Sequence, residues 1–301
     1  MTDISKVAVY GLGNMGFPLA RRIAAGFAVQ VHDLSNDMLA KAKAELDAEP
    51  IARPEDLAQT PVVVLCLPSP KISMQVLRQI APHLPKDAVV VETSTVNPAD
   101  VLACQEIVAA FGIRIIDASL LAGVSQMEAG SATLLVGGDA DAIDAAKPVL
   151  DAIAEKQIVF GPLGTGAAAK VINNAVAHAV MVVVAEAGSM ATATGVSIDK
   201  LVGLLSDPQM GLHRPLTYRF AKRVVEGDYE GGMPLDAARK DSRLALELAQ
   251  SEGIPLFAIQ ASHSVYEMAA RGGYAREDYA AIAKLWADWN VPTVPAAATD
   301  K

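Results

Sequence analysis

Lys170 stands at the head of a long alanine- and valine-rich stretch, with Asn173 nearby and Asn174 four positions on, so that Lys170 and Asn174 share one face of a helix. Most helix lysines are solvated surface residues. The flanks here, Ala167 to Ala169 and Val171 to Ile172, give this amine little polar surface to belong to. A lysine taken partly out of water has a lowered pKa, which suits proton transfer to and from an alcohol oxygen near neutral pH. A second set lies near the N-terminus, where Gly11, Gly13 and Gly16 follow an apolar run and precede a helical pattern. Such a turn needs its first glycine to be tight, its second to let backbone approach a pyrophosphate and its third to pack helix on strand. Asp33 follows at the end of the next apolar run, about where an acid accepts hydrogen bonds from adenosine ribose hydroxyls. The same carboxylate repels a 2′-phosphate and no arginine follows it, which favours NAD over NADP. Two alternatives stay open: Asp33 as a plain turn or cap residue before the helix at Asn36, and a flavin or other nucleotide in the same loop.

The elements that must hold these residues are legible in outline. Strands are predicted at Lys6 to Tyr10, Ala28 to His32, Pro61 to Leu67, Ala88 to Glu92, Arg114 to Asp117 and Ala132 to Val136. Helices are predicted between them, at Leu19 to Ala25, Asn36 to Ala48, Met74 to Ile80 and Pro98 to Phe111. This alternation implies an α/β, doubly wound, mainly parallel Rossmann-type sheet. After Gly161, Pro162, Gly164 and Gly166 the pattern changes to one unpunctuated helix reaching Thr194, then helices at Ile198 to Leu205, Pro215 to Glu226, Leu235 to Glu252, Pro255 to Arg271 and Asp278 to Trp289. The expected organisation is therefore a nucleotide-binding domain over 1–161 and an all-α C-terminal domain over 162–301, joined by the long helix. The tail from Val291 to Lys301 is expected to be mobile.

At 301 residues two domains are more natural than one core. Asp and Glu outnumber Lys and Arg by 34 to 25, which gives no basic footprint for nucleic acid or an anionic membrane, so a small-molecule partner is expected. Cys66 and Cys104 lack metal-ligand spacing and read as reduced, buried thiols of a cytoplasmic protein with no metal. The longest apolar run, Ala175 to Ala185, is shorter than a spanning helix needs, which predicts a core helix and no membrane span. The apolar long helix suggests a homodimer or homotetramer.

Four blocks in order carry a family resemblance: GLGNMG at 11–16; VVVLCLPSP at 62–70 with ETSTVNP at 92–98; DASLLAGVSQMEAGSATLLVGG at 117–138; and GTGAAAKVINN at 164–174, followed by PLDAARKDSRLA at 234–245. The chain resembles the β-hydroxyacid dehydrogenases, a family that includes 3-hydroxyisobutyrate dehydrogenase and the tartronate, succinic and sulfolactaldehyde semialdehyde-type reductases. The resemblance implies hydride transfer between NAD and a hydroxyl-bearing carbon β to an acid group. It makes Lys170 the general base in oxidation and the general acid in reduction, with Asn174, flanked by Asn173, holding the substrate. It puts Lys240 near the nicotinamide and has Asp241 fix its helix. Leu12, Asn14, Met15, Leu67, Pro68 and Thr95 join Gly11, Gly13, Gly16 and Asp33 as dinucleotide contacts.

One block departs from the family, which carries D-x-P-V-S-G-G where this chain reads Asp117, Ala118, Ser119, Leu120, Leu121, Ala122, Gly123. Leu121 replaces the serine hydroxyl expected to meet the substrate carboxylate, and Ala122 replaces a glycine. Losing one donor to an anion costs about 1.5–3 kcal/mol if nothing replaces it. Either the substrate carries an apolar group that packs on Leu120 and Leu121, or other donors take over: the amides of Ala122 and Gly123, Gln126, or His213 with Arg214. A third option leaves Leu121 to packing under a loop, with anion binding carried by backbone amides. His178 reads as a core residue, His213 and Arg214 as a surface loop, and Trp286 with Trp289 as a packing face. Two other functions stay open: a non-catalytic dinucleotide-binding sensor or scaffold, and an imine reductase, a related fold whose members typically lack this lysine.

Overall fold

Strands buried on both faces must be apolar at every position rather than at alternate ones, and the valine runs of this chain obey that rule. In the computed structural model, which describes residues 4–291, they form one eight-stranded sheet: β1 (Lys6–Tyr10), β2 (Ala28–His32), β3 (Glu49–Pro50), β4 (Val62–Leu65), β5 (Val89–Glu92), β6 (Arg114–Leu121), β7 (Thr133–Gly137) and β8 (Lys156–Gly161). The order is β3-β2-β1-β4-β5-β6-β7-β8, every pairing parallel except β6 with β7. Val7, Val9, Val62, Val64, Val89 and Val91 face one apolar layer. Ala8, Tyr10, Val63, Leu65 and Val90 face the other.

Helices α1 (Gly16–Ala24), α2 (Asn36–Leu46), α3 (Pro70–Ile80), α4 (Pro98–Ala109), α5 (Val124–Ala129) and α6 (Ala140–Ile153) connect the strands. Their starts are written in polar caps: Ser35 Oγ accepts the Met38 N–H, and Ser69 Oγ that of Ile72. Asp47 ends α2 in the left-handed region at φ 52°, so Ala48 lies outside the helix. The elements differ from the predicted ones in several places: β3, α5 and α6 are not among those predicted, and α1 begins at Gly16, three residues early. Helix α3 begins at Pro70, four residues early. The edge strand β8, its apolar Ile158, Val159 and Phe160 exposed, gave no alternation to read. Strand β6 continues to Leu121, because Leu120 and Leu121 pair with Leu134 and Thr133. Leu121 is therefore the last residue of a strand, where the connection to α5 begins.

The chain divides into two compact units, Met1–Ala175 and Val176–Lys301. Helix α7 (Thr165–Ala193) runs 29 residues, close to the length expected, and contributes its first turns to the first unit. The second unit contains α8 (Ile198–Ser206), a π-helical segment Pro215–Val224, α9 (Leu235–Ser251), α10 (Ala258–Ala269) and α11 (Lys284–Asp288), with no strand among the described residues. Leu235, Ala269 and Leu285 form its small buried centre. Glu186 of α7 ties into this unit by accepting the N–H groups of Phe257, Ala258 and Ile259 at 2.6, 2.8 and 3.0 Å, satisfying the open start of α10.

The long helix is not the core helix that its composition predicts. Ile172, Val176, Met181 and Val182 are exposed, as is His178. By length and composition alone α7 could cross a membrane. An argument from the longest unbroken apolar run missed this, because its few polar residues are spread among apolar ones. Trp286 and Trp289 lie against each other, ring centroids 5.6 Å apart and planes tilted by 56°, and remain exposed rather than forming a buried face. His213 and Arg214 are helical residues leading into Pro215–Val224, with Arg214 over the Tyr218 ring at 4.6 Å. Of the tail expected to be mobile, residues 292–301 lie outside the described residues.

Candidate active site

In a parallel sheet the connections leaving the carboxyl ends of the strands gather on one edge, and a crevice opens where the strand order reverses. Here the reversal lies between β1 and β4. The loop after β1 carries Gly11 to Gly16, Asp33 follows β2, Leu67 and Pro68 follow β4, Thr95 follows β5, and Leu121 ends β6. One sheet edge thus collects every candidate of the first unit except those on α7.

Gly11 has φ +95°, and a Cβ there would collide with the Cys66 carbonyl oxygen. Gly16, at the start of α1, would collide likewise with Gly11. Gly13 differs: nothing lies within 4 Å of where its Cβ would be, so its backbone faces open space. Asp33, half-buried, accepts the Leu12 N–H at 2.6 Å through Oδ2 and the Ser35 N–H at 2.8 Å through Oδ1. The turn-aspartate alternative is thus real, while each oxygen keeps a lone pair for a further donor. Leu12, Gly13, Asn14, Phe17, Asp33 and Lys41 line a cavity of about 320 Å³. Met15 precedes α1 beside them. A loop whose second glycine is open, at a helix N-terminus beside a carboxylate, fits a dinucleotide. Across the crevice, Leu67 N–H donates to Ser94 Oγ at 2.8 Å, and Ser94 N–H to Glu92 Oε1 at 2.9 Å, which joins the exits of β4 and β5 next to Thr95.

Lys170 is buried, unlike its neighbours Ile172 and Asn173. Burial pushes its amine below the ordinary lysine value, with no carboxylate among the described residues offsetting it. Asn174 is half-buried, and the Asn173 amide donates to its Oδ1 at 3.4 Å. At the end of β6, Leu121 and Ala122 are half-buried and Gly123 is exposed. One donor proposed to replace the missing hydroxyl is already spent, the Gly123 N–H donating to Gln126 Oε1 at 2.8 Å. Lys240 and Asp241, on α9, form an exposed ion pair at 3.0 Å.

Two residues escaped the sequence reading. Lys41, in the cavity beside Asp33, holds its amine 4.4 Å over the Phe17 ring. Its position one helix turn into α2, facing the same loop, was the available signal. Asp117, wholly buried in β6, accepts the Gly164 N–H through Oδ1 and the Ala167 N–H through Oδ2, both at 2.6 Å. A lone acid inside the apolar run RIIDASLL marked it. A larger cavity, about 700 Å³, lies in the second unit among Phe220, Tyr229, Tyr266 and Tyr279. Its cations are already paired, Arg219 with Asp278 and Lys284 with Glu277, and none of the candidate cofactor or catalytic residues lines it.

Residues 6–161 match the family model described as the NAD binding domain of 6-phosphogluconate dehydrogenase. Residues 164–286 match that described as NAD-binding of NADP-dependent 3-hydroxyisobutyrate dehydrogenase. The NAD-dependent L-serine dehydrogenase of Pseudomonas aeruginosa is 29% identical over 94% of this chain and 98% of its own length. The 3-sulfolactaldehyde reductase of Escherichia coli is 28% identical over 93% and 95%. Among solved structures, an imine reductase from Pseudomonas sp. shares the fold at TM-score 0.82 and 23% identity, covering 93% of this chain and 98% of that one. A Mycobacterium tuberculosis 3-hydroxyisobutyrate dehydrogenase with L-serine shares it at 0.65 and 24%, with the same coverage.

Proposed function

Because the chain belongs to the β-hydroxyacid dehydrogenase family, an enzymatic family that binds a pyridine nucleotide, we propose that it moves a hydride between NAD and a 3-hydroxyacid or the matching semialdehyde. The observation that carries this reading is Lys170: a buried amine with no carboxylate beside it among the described residues, on the same helix face as Asn174. As a base it takes the hydroxyl proton during oxidation, and as an acid it returns that proton to the carbonyl oxygen during reduction. The cofactor, when bound, would accept the hydride as NAD in oxidation and donate it as NADH in reduction.

Gly11, Leu12, Gly13, Asn14, Met15 and Gly16 hold the pyrophosphate in this proposal, with Asp33 on the ribose and Leu67, Pro68 and Thr95 along the crevice. NAD is preferred to NADP because Asp33 repels a 2′-phosphate, the exposed side chain of Leu34 beside it has no donor, and the Lys41 amine lies over the Phe17 ring. Asn174, with Asn173 against it, holds the substrate. Leu121, Ala122 and Gly123 meet the substrate's distal end, and with Gly123 tied to Gln126 the reading favours a substrate bearing an apolar group. Lys240 serves the nicotinamide side, steadied by Asp241. The division into functional domains falls at residue 161. The exposed apolar residues of α7 and the small centre of the second unit support a homodimer or homotetramer, and the two free thiols suit the cytoplasm.

The test is a panel of L-serine, 3-hydroxyisobutyrate, 2-(hydroxymethyl)glutarate and longer-chain 3-hydroxyacids with NAD, read at the nicotinamide absorbance. Turnover of a hydroxyacid supports the reading. Complete silence with tight NADH binding supports a sensor, and turnover confined to cyclic imines supports an imine reductase.

A further inference from the structure

We propose that Asp117 is the positioning residue for Lys170: its carboxylate fastens the head of α7 to β6 and so fixes the amine relative to the strand end at Leu121. The inference rests on Lys170 being the proton-transfer group.

A helix start leaves N–H groups without partners, and a side chain just before the helix normally accepts one. The residue before α7 is Gly164, which has no side chain. Asp117 does the work from 47 and 50 residues away in sequence, one oxygen on Gly164 and the other on Ala167. Both oxygens are engaged, so the carboxylate sets the direction of the helix as well as its place. Its negative charge also meets the positive end of the helix dipole. Burial pushes this carboxyl up, and the N–H donors of Gly164, Ala167 and Gly166 pull it partly back.

The surroundings are shaped for this contact. A Cβ at Gly137, the register partner of Asp117, would lie 2.7 Å from Oδ1 and 2.9 Å from both the Gly166 nitrogen and the Pro162 carbonyl oxygen. One at Gly166 would collide with the Leu135 carbonyl oxygen and lie 2.7 Å from Oδ2, so strand, helix head and carboxylate are in close contact. Lys170 follows Ala167 by three residues, a rise of about 4.5 Å. Four residues beyond Asp117 in the other direction, β6 ends at Leu121, where the substrate is proposed to lie. One buried side chain therefore spans the strand that bears the substrate end and the helix that bears the base. Proton transfer is sensitive to such placement, since a displacement near 1 Å costs about 10²-fold in rate.

Asp117→Asn keeps the shape but offers one acceptor and turns an N–H₂ toward a backbone donor. With NAD and whichever panel substrate turns over, kcat is expected to fall about 10²-fold while KM and the NADH Kd stay within about twofold. A substrate-independent readout accompanies it: acetic anhydride labelling of Lys170, measured by mass spectrometry against the surface residue Lys147, is expected to rise about fivefold as the helix head loosens. If Asp117→Asn does not fold, Gly137→Ala, which presses a methyl group on Oδ1 and on the Gly166 nitrogen and Pro162 carbonyl oxygen at the same helix head, is expected to give the same pattern. In either folded variant, unchanged Lys170 labelling overturns the proposal, as does a kcat within about twofold of the parent. Lys170→Ala measured in parallel separates the two ideas. Full activity there removes the role of Lys170 itself, whereas lost activity there with full activity in Asp117→Asn removes only the role of Asp117.

Discussion

Asp33 accepts the backbone N–H of Leu12 at 2.6 Å, so the carboxylate proposed to read the ribose also holds the glycine loop in place. The two functions reinforce each other, because the loop and the ribose subsite then move as one piece. Replacing Asp33 by Ser removes a charged acceptor worth about 1.5–3 kcal/mol. NADH affinity is expected to drop about ten- to a hundredfold and NADPH affinity to rise, since the charge that repels a 2′-phosphate is gone. Fluorescence titration of the parent with both cofactors checks the premise: a parent that already prefers NADPH contradicts the reading of Asp33.

Gly11 and Gly13 look equivalent in the motif and differ in space. Gly11→Ala forces a Cβ into the Cys66 carbonyl at a positive φ, so it lowers Tm by several degrees. Gly13→Ala meets no protein atom, so Tm is expected to stay put while NADH affinity falls about tenfold or more, the methyl group standing where pyrophosphate approaches. Thermal melts with and without NADH distinguish them. Equal Tm losses in both variants contradict the assignment.

A buried amine without a partner costs stability when charged. Lys170 has a folded pKa below its unfolded value, so between the two the unfolded chain binds more protons and stability rises with pH. Below the folded pKa the cost is present in full. Lys170→Met is therefore expected to raise Tm at neutral pH, the gain shrinking as pH climbs toward about 10.4, the ordinary lysine value. A variant less stable than the parent across this range contradicts the burial.

In the second unit, Glu186 supplies the three acceptor contacts at the start of α10. Burial raises its carboxyl, and these three donors outweigh that and hold it below the ordinary glutamate value. Glu186→Ala is expected to cost about 2–3 kcal/mol at neutral pH. Because the folded pKa is depressed, the contribution is present above the unfolded value and lost as pH falls through the folded one. The gap in denaturant midpoint between parent and variant should therefore close in acid.

What the sequence made legible follows from its local rules. The valine runs of β1, β4 and β5 are apolar at every position because both faces are covered, and the glycine loop announces a turn that only glycines permit. Local patterning ends where long-range pairing begins. The predicted strand stops at Asp117 because the strand character of Leu120 and Leu121 comes from Leu134 and Thr133 across an antiparallel pair. Gly123 looked like a free donor because Gln126 takes its N–H only after α5 has formed. Asp117 stood in the quoted block without a role, since its partners lie 47 and 50 residues on. The long helix was read correctly in extent and wrongly as core, because apolar composition does not say what covers a face.

The claim on which the rest depends is that the Lys170 amine moves the proton that accompanies hydride transfer. Lys170→Ala, assayed at the nicotinamide absorbance with the panel substrate that the parent turns over, tests it directly. The expected result is a kcat lower by about 10²–10⁴-fold with NADH affinity and the fold intact. Turnover at the parent rate, with an unchanged pH profile, contradicts it.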